Sequence, residues 1–131
     1  MQLGMSGWRV LLIASSFALC GATVSAGADN RLSPGQIVFI KECAKCHQVG
    51  PNARNRVGPV LNAIFGKQAG TVEGFRNYSE AMRRSGIIWT PEHFRQFIKD
   101  PKSIIEGTTQ IYKGLKDEQS ITALIEFLKT Q

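Results

Sequence analysis

The sequence predicts a small all-α domain of about four helices, and three observations point there. Helix-start signals, a capping residue followed by proline, stand at Ser33-Pro34 and Thr90-Pro91. Ile121, Leu124, Ile125 and Leu128 recur at three- and four-residue spacing, the period of a helix with one buried stripe. No segment alternates as a half-buried strand does, and no internal repeat or low-complexity tract interrupts the chain.

Taken in order, the first helix opens at Ser33, with Pro34 at its first position and Gln36 placed to complete a capping box. Ile37, Val38, Phe39 and Ile40 are expected to supply its apolar face, and it delivers the chain to Cys43. Gly50-Pro51-Asn52, Gly58-Pro59 and glycines at 66, 70 and 74 then predict a long loop as far as Phe75. A short helix is expected from Ser79 to Ser85, stopped by Gly86. Ile87, Ile88 and Trp89 follow as a buried run. Thr90-Pro91 starts the third helix, with Phe94, Phe97 and Ile98 on one face and Pro101 as its end. The stretch from Lys102 to Gly114 predicts a loop, and Asp117 caps the last helix.

The chain has 131 residues and a formal net charge of +6, one small domain by length. Its start is different in kind. Arg9 follows a polar opening, Val10 to Ala22 is almost unbroken apolar sequence, and Val24-Ser25-Ala26-Gly27-Ala28 offers cleavage after Ala26 or Ala28. Residues 1–28 are therefore expected to be a cleaved signal peptide and 29–131 the functional domain. The apolar run is short for a retained membrane span. Cys20 lies inside it, and the bulky Leu19 argues against a lipoprotein signal. About a hundred residues remain, where a core of side chains alone is marginal. Removing Arg9 leaves a charge near +5. The basic residues are dispersed and not interleaved with aromatics, which argues against nucleic acid and for acidic protein partners or a solvated basic surface.

The chemistry concentrates in Cys43-Ala44-Lys45-Cys46-His47. Cys-x-x-Cys-His is the spacing of covalent haem attachment, in which the two sulfurs bond the vinyl groups and the histidine ligates the iron. Zinc bound by Cys43, Cys46, His47 and His93 is one rival, weakened by the poor geometry of adjacent Cys46 and His47. A Cys43–Cys46 disulfide is another, and it leaves His47 unexplained. One covalent haem uses all three residues and supplies the interior that a short chain lacks.

From Gly35 to Lys129 the chain resembles a class I cytochrome c of the soluble bacterial and mitochondrial type. The likeness rests on Gly35 and Phe39 before the haem motif, and on Gly58-Pro59-Val60-Leu61 after it. It continues through Gly74-Phe75, Tyr78-Ser79 and Gly86-Ile87-Ile88-Trp89 to Gly114-Leu115. The resemblance implies that the Pro59 carbonyl holds the far nitrogen of His47, that Tyr78, Ser79 and Trp89 lie near the haem propionates, and that Gly35 and Phe39 pack on Phe127. It also implies a periplasmic one-electron carrier, monomeric and not an enzyme. Its partners would be acidic redox proteins (a reductase, oxidase or dehydrogenase) steered to Lys45, Lys99, Lys102, Lys113 and Lys116. After cleavage no stable membrane insertion is expected.

One departure bears on the iron. Where the family carries Pro-Gly-Thr-Lys-Met, this chain has Glu106-Gly107-Thr108-Thr109-Gln110. Gln110 stands at the position of the axial methionine, and Phe97 replaces a tyrosine that bonds the ligand sulfur in many relatives. His47 and Gln110 are thus the expected iron ligands, with water, Lys113 or His93 as rivals for the second place. A hard amide donor favours ferric iron, so the potential is expected to fall within the ~0.8 V range that axial ligands help span. The alternative is a ligand-binding or sensing haem protein with a labile sixth position.

Overall fold

The computed structural model describes residues 31–131, and the expected signal peptide at 1–28 lies outside the described residues. Five helices follow one another: α1 (Pro34–Glu42), α2 (Glu80–Arg84), α3 (Pro91–Lys99), α4 (Pro101–Ile104) and α5 (Glu118–Lys129). Among the described residues there is no strand, only an isolated antiparallel bridge between Gln68 and Ile88. The domain is all-α.

α1 begins as its capping box requires: Ser33 Oγ accepts from the Gln36 amide at 3.2 Å, and Gln36 Oε1 accepts from the Ser33 amide at 2.9 Å. The helix lies against α5. Gly35 permits this, because a Cβ there would overlap the Ala123 carbonyl and Phe127 Cβ. One turn on, the Phe39 and Phe127 rings pack with centroids 5.6 Å apart. The expected four-residue apolar face of α1 is corrected: Ile37 and Ile40 are 53% and 55% exposed, while Gly35 and Phe39 are buried. Four consecutive residues sweep around a helix at ~100° each and cannot all face one neighbour.

α5 supplies the other half of the contact. Asp117 caps it by accepting from the Ser120 amide at 2.8 Å, and Ile121, Leu124, Ile125 and Leu128 are all buried. Each contributes roughly 1.5–3 kcal/mol by leaving water. α3 closes the third side with Phe94, Phe97 and Ile98. The expected buried run 87–89 is also corrected. Backbone bonds from Trp89 to Lys67 and from Ala69 to Ile87 hold this segment in extended pairing, so alternate residues face opposite ways. Trp89 points inward and Ile88 outward.

The Lys102–Gly114 loop is shorter than expected because Pro101 opens a helix as well as ending one. Asp100 serves both: its amide donates to Gln96 O to close α3, and its carboxylate accepts from the Lys102 amide at 3.2 Å to cap α4. The chain then returns to α3 at Gly114 (φ +91°), where a Cβ would overlap the Lys99 carbonyl. Leu115 N–H donates to Ile98 O at 2.8 Å.

Candidate haem site

The C-terminus of α1 runs directly into the cysteine turn. The Cys43 amide donates to Phe39 O at 2.8 Å, and the amides of Cys46 and His47 both return to Cys43 O, at 3.0 and 2.9 Å. This winding brings Cys43, Cys46 and His47 to one side of a single turn. Cys43 is 7% exposed and belongs to the core, whereas Cys46 is half-buried. Burial first, then the Glu42 and Cys46 charges, push the Cys43 thiol up to about 12. In the folded chain it is a poor nucleophile. Neither cysteine forms a disulfide.

His47 is held from two directions. Its Nδ1–H donates to the Pro59 carbonyl at 2.7 Å, which leaves the Nε2 lone pair as the free donor of the ring. Gly58 lies flat against the imidazole: a Cβ there would stand 2.7 Å from both ring nitrogens. Burial lowers the His47 pKa, opposed by the bond to Pro59, so the neutral, ligating form is favoured. Nε2 has no hydrogen-bond partner among the described residues, and none of their buried side-chain polar atoms is unpartnered. It therefore opens onto accessible space.

The segment carrying Gly58 and Pro59 is secured by two side chains that sequence reasoning missed. Asn62 bonds both the amide and the carbonyl of Gly50, each at 2.9 Å. Asn55 accepts from the Val60 amide and donates to Glu73 O, also at 2.9 Å. Gly58 N–H itself returns to Cys46 O at 2.9 Å. Asparagine in a Gly/Pro-rich loop is the one sequence signal for such a role, and it does not name the partner.

The remaining predicted residues occupy separate positions. Tyr78 packs edge-on against Phe75, centroids 4.7 Å apart, and burial raises its phenol while a hydrogen bond with the Val72 backbone opposes this. Ser79 caps α2 by accepting from the Met82 amide at 3.1 Å, which leaves its O–H free to donate. Trp89 is 8% exposed and packs on Phe97 and Phe94 at 5.0 and 6.4 Å. Its indole N–H has no acceptor among the described residues and, like Nε2, borders accessible space. Gln110 is half-buried on the loop after α4, its amide donating to Thr108 Oγ1 at 3.3 Å.

The four-ligand zinc set is not assembled. His93 Nδ1–H donates to Ile88 O at 2.7 Å, and no group of three or more His, Cys, Asp or Glu among the described residues is placed to hold a metal. A haem fits this donor set: two sulfurs and a clamped imidazole on one turn, and an indole N–H without a protein acceptor.

No family model matches the chain. Individual proteins do. It is 48% identical over 118 residues to cytochrome c2 of Blastochloris viridis, covering 90% of this chain and 91% of that one. Cytochrome c2 of Rhodomicrobium vannielii is 36% identical over 127 residues, 97% of this chain and 98% of its own. Among solved structures, cytochrome cH from Methylobacterium extorquens superposes with a TM-score of 0.68 at 31% identity, covering 75% of this chain and 96% of that one. With relatives this similar along nine-tenths of both chains, and the haem-attachment turn in place, the protein belongs to the class I monohaem cytochrome c family, electron carriers rather than enzymes.

Proposed function

We propose that this protein is a periplasmic one-electron carrier whose potential is lowered by Gln110. The observation that carries the reading is the make-up of the loop after α4. By the resemblance to class I cytochromes c, Gln110 stands at the position of the axial methionine, and Met82, the single methionine among the described residues, lies on α2 instead. Haem iron supplies the ferric–ferrous couple. His47 Nε2 would be one donor to the bound iron, with Pro59 raising its basicity through Nδ1. Gln110 would add a hard amide donor, which favours the ferric state. Tyr78, Ser79 and Trp89 offer donors to the propionates.

Export is supported by the leader at 1–28, and the alignment with Rhodomicrobium vannielii cytochrome c2 spans 97% of this chain and so takes in most of that leader. Among the described residues no helix is long and apolar enough to cross a membrane. The partners are acidic redox proteins, a reductase, oxidase or dehydrogenase. Not all five lysines are equally suited to steer them. Lys99 pairs with Glu118, and Lys116 Nζ donates to Lys99 O. Lys45, Lys102 and Lys113 form no ion pair among the described residues and are exposed. Ile111, 95% exposed next to Gln110, adds an apolar contact to that basic surround.

A redox titration followed by optical spectra of the ferric protein tests the reading. The expected result is a potential that rises by at least about 0.1 V in Gln110→Met, with no far-red sulfur-to-iron band in the wild type. Such a band in the wild type would show a methionine on the iron and overturn the assignment of Gln110.

A further inference from the structure

The segment between Thr108 and Leu115 is weakly tied to the rest of the protein. The Thr108 amide returns to Ile105 O at 3.1 Å and the Gln110 amide to Thr108 Oγ1 at 3.3 Å, both within the loop. The next backbone anchor is Leu115 on Ile98. Ile111 and Lys113, on either side of Tyr112, are exposed. Tyr112 turns inward between them, packing against the core, and its hydroxyl donates to Glu42 Oε2 at 3.1 Å across seventy residues of sequence. Glu42 is the last residue of α1 and immediately precedes Cys43. Its other charged neighbour, Lys41, is more distant at 3.8 Å and largely solvated.

We propose that Tyr112 and Glu42 form a latch that holds the Gln110 loop against the haem-attachment turn and so keeps the sixth coordination position closed. Both are positioning residues. The side chain two places beyond Gln110 is fastened to the residue that adjoins the first haem cysteine, so the loop's distance from the cofactor is set by one hydrogen bond to a carboxylate. Such a bond is stronger than a neutral one, and breaking it frees the loop without removing anything from the core. A closed position keeps foreign ligands off the iron between electron transfers. The proposal rests on the reading that the Gln110 loop covers the iron.

The test uses the holoprotein and three variants, Tyr112→Phe, Glu42→Ala and Glu42→Gln, with two readouts: imidazole affinity of the ferric form, and amide hydrogen exchange across residues 109–113. Tyr112→Phe keeps the ring in the core and deletes the hydroxyl. It and Glu42→Ala are expected to tighten imidazole binding by about tenfold to a hundredfold, the range of a hydrogen bond to a charged group. Exchange should quicken in 109–113 and stay unchanged in α5. Glu42→Gln keeps a neutral, weaker acceptor for the phenol and should fall between the wild type and Glu42→Ala in both readouts. Unchanged exchange in Tyr112→Phe would overturn the latch, as would a Glu42→Gln protein indistinguishable from Glu42→Ala, which would show that the acceptor plays no part. Faster exchange with unchanged imidazole affinity would uphold the latch while refuting Gln110 as the group that imidazole displaces.

Discussion

Gly58→Ala tests how the fold holds His47. Gly58 is buried, and a methyl added there would stand 2.7 Å from both ring nitrogens of His47, where non-bonded contacts prefer ~3.5–4.0 Å. The ring or the 58–59 backbone must therefore move by about 1 Å. Movement of the ring breaks the 2.7 Å bond from Nδ1 to Pro59, and movement of the backbone strains the Gly58 amide on Cys46 O. Overpacking of this kind costs about 1–3 kcal/mol. Taken from global stability, that lowers the unfolding midpoint of a domain of this size by about 5–20 °C. Taken from the iron–imidazole bond, it lets a proton displace the iron at a pH higher by about one to two units. The assay is thermal unfolding of the ferric holoprotein together with an acid titration of its Soret band. Gly86→Ala is the control, since Gly86 has φ +67° with nothing within 4 Å of the added methyl. It should lower stability through backbone strain and leave the acid transition alone. If Gly58→Ala matches the wild type in both measurements, the close approach of Gly58 to His47 is not what positions the imidazole.

Three further outcomes are expected. Glu118 is held below its ordinary value near 4.5 by a hydrogen bond from Lys99 and by Arg95 at 3.0 Å, so its contribution to stability is present above that value and is lost as pH falls through the depressed one. Glu118→Gln should therefore unfold at lower temperature than the wild type at neutral pH, and the gap should close on acidification and narrow in high salt. Phe127→Ala removes the partner of Phe39 and should cost ~3 kcal/mol in denaturant unfolding, with the haem still attached because its bonds are covalent. Exchanging Lys102 and Lys113 for Gln should flatten the ionic-strength dependence of electron transfer to an acidic partner, while Lys99→Gln should affect stability more than docking because Lys99 already faces Glu118.

What was legible in the sequence was local. The caps at Ser33, Thr90 and Asp117 act over three residues, and the buried stripe of α5 repeats at helical spacing; both are written in neighbouring letters. α4 is hidden in the sequence because Pro101 reads as a terminator, although Asp100 before it supplies the cap that makes proline a start. Hydrophobicity alone points Ile37, Ile40 and Ile88 inward, and only the positions of α5 and of the Gln68 bridge decide which way they face. The supports of the site were the least legible part. Asn62 reaches back twelve residues to Gly50, Asn55 forward eighteen to Glu73, and Tyr112 back seventy to Glu42, and no periodicity encodes a partner at such separations.

The two sides of the site are built to different standards, and the difference bears on how the potential is set. On the His47 side, Pro59, Gly58, Asn55, Asn62 and the turn from Phe39 to His47 restrain one another through backbone bonds and buried contacts. A substitution there disturbs several partners at once and is paid in stability, as worked out for Gly58. Gln110 sits on a loop whose backbone bonds are local and whose outer residues are exposed, tied to α1 through the Tyr112 hydroxyl. An exchange of thioether for amide at that position lies outside every helix, and on the proposed ligation it turns the iron's donor set harder. Axial-ligand identity is among the strongest influences a protein has on haem potential, and on the proposed reading it falls to a loop whose backbone bonds are local. On the ligation proposed for Gln110, the potential is retuned there at less cost in folding free energy than through His47, which Gly58 and Pro59 restrain on two sides.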